Sequence, residues 1–447
     1  MTKVIFRFDT EDFVNKNAAD GVLRVINVLE QYGVRGVFVI VGKFAEALRD
    51  WGRTDIIEAL KRHEIGIHSL GHSIHPTINE YTDHVDYHVC RRLFREREGE
   101  CVRILKDVFG IDHIYAACGP GSSVSYVMQY GYTEMGVPLH LGAGSYYGDT
   151  KAGRPTKYAN AIQIPTAYGL DTLETYTKAD IDKMLDDAAT RYDTLCFCHH
   201  PAMNMVKVFY DKLNFDGKNT PEEKWVLSPE KTKEEQATWL ENFRYLVERI
   251  VKDERFTVTT GKEISETYYV EERVIDKETL RKIKPQLDEE LFPITTPDSF
   301  CLTDILYACR DLLLGKPFHV CGSVYGFLSE PYATQAPVTL TRDALCQVAR
   351  QIGDTFIPAK FLVGDTEIGP ADFLRAAITL LCEGGDAVTV APAPVQIDLN
   401  EFPVIKDMTL SGGWIHSPDF KDHFVSDRIR FQTWTIHFPK GTKRKVF

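Results

Sequence analysis

No stretch of the chain approaches the roughly 20 consecutive apolar residues that a membrane span needs. The opening Met1-Thr2-Lys3 runs directly into a short strand-like pattern rather than a leader. The ten cysteines include no CxxC pair and no regular framework. Cys196 and Cys198 alternate along one strand-like stretch, so buried free thiols in a reducing cytoplasm are expected in place of disulfides. Positive charge is in deficit: 52 Lys and Arg against 64 Asp and Glu give a net charge of −12. That balance argues against nucleic acid or an anionic membrane surface as the main partner. No repeat or low-complexity segment is visible. What remains is a composition 44% hydrophobic and 26% charged over 447 residues. This is a globular chain too long for one core, and two or three domains are expected.

Strand-like and helix-like patterns alternate over the first 265 or so residues. Val4–Phe8, Gly36–Val41, Ile65–Ile67, Ile114–Ala117, Ala161–Pro165, Thr194–Cys198 and Thr257–Thr259 read as strands. Ala18–Tyr32, Phe44–His63, Asp83–Phe109, Lys178–Arg191 and Glu234–Lys252 read as helices. Such alternation implies parallel strands with covering helices, in an open sheet or a barrel. The expected division is a β/α domain over 1–270, a charged linker or connecting helix over 271–297, and an α+β accessory domain over 298–447. In the last, Phe300–Leu314, Thr341–Ile352 and a segment opened by Pro370 read as helices, and Phe361–Val363 as a strand. The alternating Phe431–His437 reads as a half-buried strand.

Chemistry-bearing residues follow the strand ends, the face on which βα architectures build active sites. Val4–Phe8 leads into Asp9-Thr10-Glu11-Asp12, and two carboxylates this close repel unless a cation or a proton lies between them. The plain alternative is an acidic turn capping the next helix. Ile65–Ile67 leads into His68-Ser69-Leu70-Gly71-His72, where imidazoles four apart at a turn can converge on one ion, or be ordinary surface histidines. His75 is close enough to support or replace one of them. A carboxylate with two imidazoles is an N₂O set for zinc or a similar divalent ion with a position open to water. Cys196–Cys198 leads into His199-His200-Pro201, and a histidine is the natural general acid for a leaving amine near neutral pH. Either ring could instead be a buried structural imidazole. Ala116–Ser123, rich in glycine, could offer N–H groups to an oxyanion or only turn the chain. Trp414, Phe420, Phe431 and Trp434 could stack on sugar rings, though such aromatics are more often core.

The order Asp-x-x-Asp, His-Ser-x-Gly-His, a Pro-Gly turn and a strand ending in His-Pro resembles the polysaccharide deacetylase family (NodB homology, carbohydrate esterase family four). The resemblance covers about residues 1–265. It implies a distorted (β/α)₇ barrel, followed here by the smaller α+β domain. It also implies metal-dependent removal of an acyl group, N-acetyl foremost, from a sugar or sugar-like small molecule or oligosaccharide. Carried over by position, Asp9 is the base and Asp12, His68 and His72 the metal ligands. His200 is the general acid, and Asp171, in Ile164-Pro165 … Gly169-Leu170-Asp171, is the group that orients it. The ion implied is zinc, with cobalt, nickel or manganese as alternatives, and the nucleophile is a water that it activates.

Phe-Asp-Thr-Glu-Asp departs from the family's Phe-Asp-Asp-Gly, so Glu11 rather than Asp12 could be the carboxylate ligand. The arginine expected before the Pro-Gly turn is missing, with Ala117 and Cys118 near its place. The tryptophan of the fourth motif is replaced by a nearby Tyr168. These departures keep two further readings open: an allantoinase-like hydrolase of a cyclic amide, and a non-catalytic metal- or glycan-binding protein. Thr341–Leu381 is similar to pseudomurein-binding-type repeats.

Overall fold

The computed structural model describes residues 1–142, 153–395, 397, 410 and 415–442. The chain divides into two compact units. One comprises Met1–Pro155, Ala161–Tyr268 and Thr409–Val425; the other comprises Thr156–Asn160, Tyr269–Met408 and Ser426–Phe447. Among the described residues no helix is long and apolar enough to cross a membrane.

The first unit is built on strands β1 (Thr2–Thr10), β2 (Val37–Ile40), β3 (Glu64–Ile67), β4 (Ala116–Ala117), β5 (Leu139–Leu141), β6 (Ala161–Ile164), β7 (Tyr168–Gly169), β8 (Thr194–His199) and β9 (Phe256–Val258). Their order is β6-β5-β4-β3-β2-β1-β8-β7, with β9 against the start of β1. All of these pairings are parallel. The sheet curls into a distorted (β/α) barrel, as the family resemblance implies, where the strand–helix alternation left an open sheet or a barrel. The central strands are buried along their whole length, as parallel strands covered on both faces must be, and this is why they read as unbroken apolar runs. Parallel pairing puts the carboxyl ends of β1, β3, β4 and β8 on one rim.

Two strands escape the sequence pattern, β5 and β7. The expected helix over Phe44–His63 is two helices, Gly42–Asp50 and Thr54–Leu60. Gly52, at φ +70°, reverses the chain between them in a conformation glycine adopts without strain.

The second unit contains a duplication that the amino-acid pattern hides. Val274–Ile275 leads into helix Lys277–Glu289, an antiparallel bridge between Ile294 and Phe300, and helix Leu302–Leu313. His319–Val320 then pairs antiparallel with Val274–Ile275. The same order recurs. Val338–Thr341 leads into helix Arg342–Gln351, the hairpin Phe361–Val363/Thr366–Ile368 and helix Pro370–Glu383. Ala387–Val390 then pairs back on Val338–Thr341. The charged stretch 271–297, expected as a linker or connecting helix, supplies a strand and the helix Lys277–Glu289. Its Leu280, Ile283 and Leu287 fall on one buried helical face.

The segment Phe431–His437 is not a strand. Thr433–Thr435 forms a 3₁₀ turn, and Trp434 is wholly buried with its indole N–H donated to the Val395 carbonyl. That removes Trp434 as a sugar platform. Phe420 stacks on His416, and Trp414 lies outside the described residues.

Candidate active site

Side chains alternate along a strand, so Arg7 and Asp9 share one face of β1. Glu11, one residue past its end, joins them. All three line one cavity of about 390 Å³ together with His68, His72, Asp171 and His200. Arg7 donates from a terminal nitrogen to Asp9 Oδ2 at 3.1 Å, and its Nε lies 2.9 Å from Oδ1 as an ion pair. This charge-assisted bond and ion pair hold the carboxylate at the end of β1. Gly142, at φ +92°, makes the room, because a Cβ there would lie 1.7 Å from the Arg7 guanidinium.

Glu11 Oε2 lies 3.2 Å from His68 Nε2 and 2.9 Å from His72 Nε2. The ring orientations follow from their other nitrogens. His68 Nδ1 faces the Cys118 carbonyl at 2.9 Å, which can only accept, so Nδ1 carries the proton. Ser73 donates its hydroxyl proton to Asp211 and receives His72 Nδ1 at 2.6 Å. Both Nε2 atoms are thus left facing a carboxylate, an arrangement that a second proton on each ring or one bound cation satisfies. Among the described residues these three form a set of donor atoms within 4.8 Å of one another. A divalent ion fits a carboxylate and two imidazoles. The loop is strained to achieve this, with Ser69 at φ +68° and His72 at +52°. Burial alone would raise the Glu11 pKa, but His72, His200 and His68 pull it well below the usual carboxylate range.

Asp12, the expected third ligand, is not brought to the histidines. Its carboxylate accepts the N–H groups of Val14 and Asn15 and the Asn15 side-chain amide, closing the turn after β1. Burial, against these bonds, pushes its pKa up to about 7. The alternation of β1 explains the exchange: Glu11 follows Asp9 onto the cavity face, and Asp12 points away. His75 is also spoken for, by Glu80 at Nδ1 and the Phe215 carbonyl at Nε2.

His199 and His200 separate cleanly. His199 is fully buried, stacked on Trp239 at 4.2 Å, with Nδ1 held by Asp171 at 2.9 Å. His200 is 21% exposed, and its Nε2 stands 3.6 Å from Asp9 Oδ2. Asp171 holds the His200 backbone N–H and Nδ1, both at 2.8 Å. Burial opposes charge on His200, but Asp171, Glu11 and Asp9 outweigh it and lift its pKa to about 10. The same histidines hold Asp171 far below its ordinary value despite burial.

Three residues at the site were missed in the sequence. Arg7 was legible in principle, two residues before Asp9 on the same strand face. Asp211 and Trp239 lie in segments with no motif, and only the fold brings them in. Cys118, Gly119 and Gly121 do border the cavity, as the Gly-rich turn suggested.

No family model and no curated protein matches the chain. Among solved structures it is similar to one described as a candidate polysaccharide deacetylase from Mycobacterium smegmatis, at 15% identity over 59% of this chain and 89% of that one, with TM-score 0.38. It is also similar to a 4-α-glucanotransferase from Thermococcus litoralis, at 9% identity over 60% and 40% of the two chains, with TM-score 0.40. A third is a family four carbohydrate esterase from Streptomyces lividans in complex with acetate, at 8% identity over 58% and 91%, with TM-score 0.33. With every one of these TM-scores below 0.5, the fold assignment stands on strand order, and the functional reading on the atoms of the site.

Proposed function

We propose that the first unit is a metal-dependent amide hydrolase that removes an acyl group, N-acetyl foremost, from a sugar or sugar-like substrate. The observation that carries this reading is the convergence on one cavity of Glu11, His68 and His72 with Asp9 and His200. Glu11, His68 and His72 would hold the ion, with zinc favoured and cobalt, nickel or manganese also suited to the donor set. The ion would supply Lewis-acid polarisation of the acyl oxygen and a more acidic water.

The remaining work falls to side chains. Asp9, clamped by Arg7, takes a proton from the attacking water. His200, held by Asp171 at Nδ1, keeps Nε2 toward the cavity and protonates the departing amine. Its raised pKa keeps it charged near neutrality, the form an acid must have before the step. Each such group contributes on the order of 10²–10⁴-fold. All ten cysteines are free, which suits a reducing, cytoplasmic setting.

Acetate release from N-acetylated sugars, with and without chelator, tests the reading. Release that chelation abolishes and zinc restores is expected. No release from any of them, with turnover of a cyclic ureide, would overturn the substrate class. Tight ligand binding without turnover of either would overturn catalysis.

A further inference from the structure

The second unit holds its own group of metal-donor side chains. Cys301, Asp304 and His437 are each fully buried, and their ligand atoms lie within 4.8 Å of one another. Cys301 caps the helix Leu302–Leu313 by accepting the Asp304 backbone N–H at 3.3 Å. Asp304 sits three residues on, at the first helical turn, and its carboxylate meets His437 Nε2. Burial, and next the charge of the same carboxylate, raise the pKa of the half-buried Cys321 thiol. His437 Nδ1 has no partner among the described residues.

The duplicated module supplies an internal control. At the matching turn of helix Pro370–Glu383, Gly369 takes the cap position and Asp372 stands three residues on. Asp372 is equally buried, and the Thr334 hydroxyl donates to it. Here a buried carboxylate is met by a threonine from outside the module, with no side chain at the cap position. In the first module the cap position holds a thiol, and the carboxylate is met by an imidazole from outside the module, His437. Both are donors for a borderline-soft divalent ion, and neither is required by the turn. A cysteine, histidine and aspartate together could also suggest a nucleophilic triad, but groups with no exposure cannot meet a substrate.

We propose that Cys301, Asp304 and His437 form a structural site for a zinc-like divalent ion. A mixed sulfur, nitrogen and oxygen set closed to solvent is the composition of a structural rather than a catalytic centre. Arg273 and Lys157 also face Asp304. They are the competing explanation for a buried carboxylate, and the experiment separates the two.

The full chain is loaded with zinc or cobalt, freed of excess ion and analysed for metal, as wild type and as H68A/H72A. Two equivalents are expected in wild type and one in H68A/H72A, whose cobalt form should show thiolate-to-metal charge-transfer absorption. Adding C301S, which keeps a capping oxygen, should remove both the ion and the band. H437Q should remove the ion with the thiols intact. In an otherwise wild-type chain, C301S should lower the content from two equivalents to one, which covers the case where H68A/H72A does not fold. A folded H68A/H72A chain that binds no ion, or cobalt without the thiolate band, overturns the inference and leaves the barrel reading standing. One equivalent with that band in both wild type and H68A/H72A supports the inference and overturns the barrel ligands instead.

Discussion

At the barrel rim, Glu11, His68 and His72 come from the ends of two strands and face a cavity. In the second unit Cys301, Asp304 and His437 meet at the first turn of a helix with no exposure at all. The donor chemistry overlaps, and the surroundings differ. At the rim, parallel strands deliver side chains from remote positions to one face and leave space beside them. The helix turn collects donors three residues apart and closes over them. Access, rather than the identity of the donors, separates a centre that can turn over substrate from one that can only hold structure.

The sharpest way to break the comparison is to remove a rim donor. Glu11→Gln should lose the ion of the first unit and with it essentially all turnover, whereas Asp12→Asn should keep both. Metal analysis of the two variants decides between neighbouring carboxylates. Retention of the ion in the Glu11 variant together with its loss in the Asp12 variant would reverse the assignment. Next in size, Asp9→Asn and His200→Ala should each lower kcat by about 10²–10⁴-fold with the ion still bound. A drop in metal content that matches the drop in rate would make them ligands instead.

Smaller effects probe the supports. Arg7→Lys keeps the buried charge and loses the guanidinium's simultaneous bonds to Asp9, Thr166 and Cys198, so kcat should fall by roughly 10²-fold with little change in KM, as for a misplaced catalytic group. Asp211→Asn should weaken metal affinity by about 10–100-fold through the Ser73–His72 chain. Unchanged affinity, measured by competition with a chelator, would reduce Asp211 to packing.

His63 gives the baseline for a buried histidine with no donor set. It accepts the Gly36 N–H at 3.1 Å, and burial holds its pKa down to about 4. The unfolded chain protonates first, at about 6.5. Stability is therefore full above that pH and declines as pH falls toward 4, by at most about 3 kcal/mol. His63→Gln should show a flatter loss over that window in urea unfolding. Equal slopes in the two proteins would assign the acid sensitivity elsewhere.

The long strands and helices were legible because each spans enough residues to show its period. Lys178–Arg191 is a helix over the bounds its pattern suggested, and β1 reads from Val4-Ile5-Phe6. Strands β5 and β7 were not legible: Leu139-His140-Leu141 and Tyr168-Gly169 stand without the flanking apolar run that marked Ile114–Ala117. The repeat in the second unit was hidden for a different reason. Its two copies share a layout of strands, turns and buried positions but little residue identity, as Cys301 against Gly369 illustrates.

By itself the amino-acid sequence determined which residue types could meet. The carboxylates after β1, the histidines after β3 and the pair after β8 follow from local pattern, since a strand end is a local property. Tertiary structure decided which of them do meet. Asp12 turned to Asn15 and Glu11 to the histidines because strand pairing set which face of β1 looks into the barrel. Arg7, Asp211 and Trp239 entered because long-range packing, invisible to any local window, carried them to the same rim.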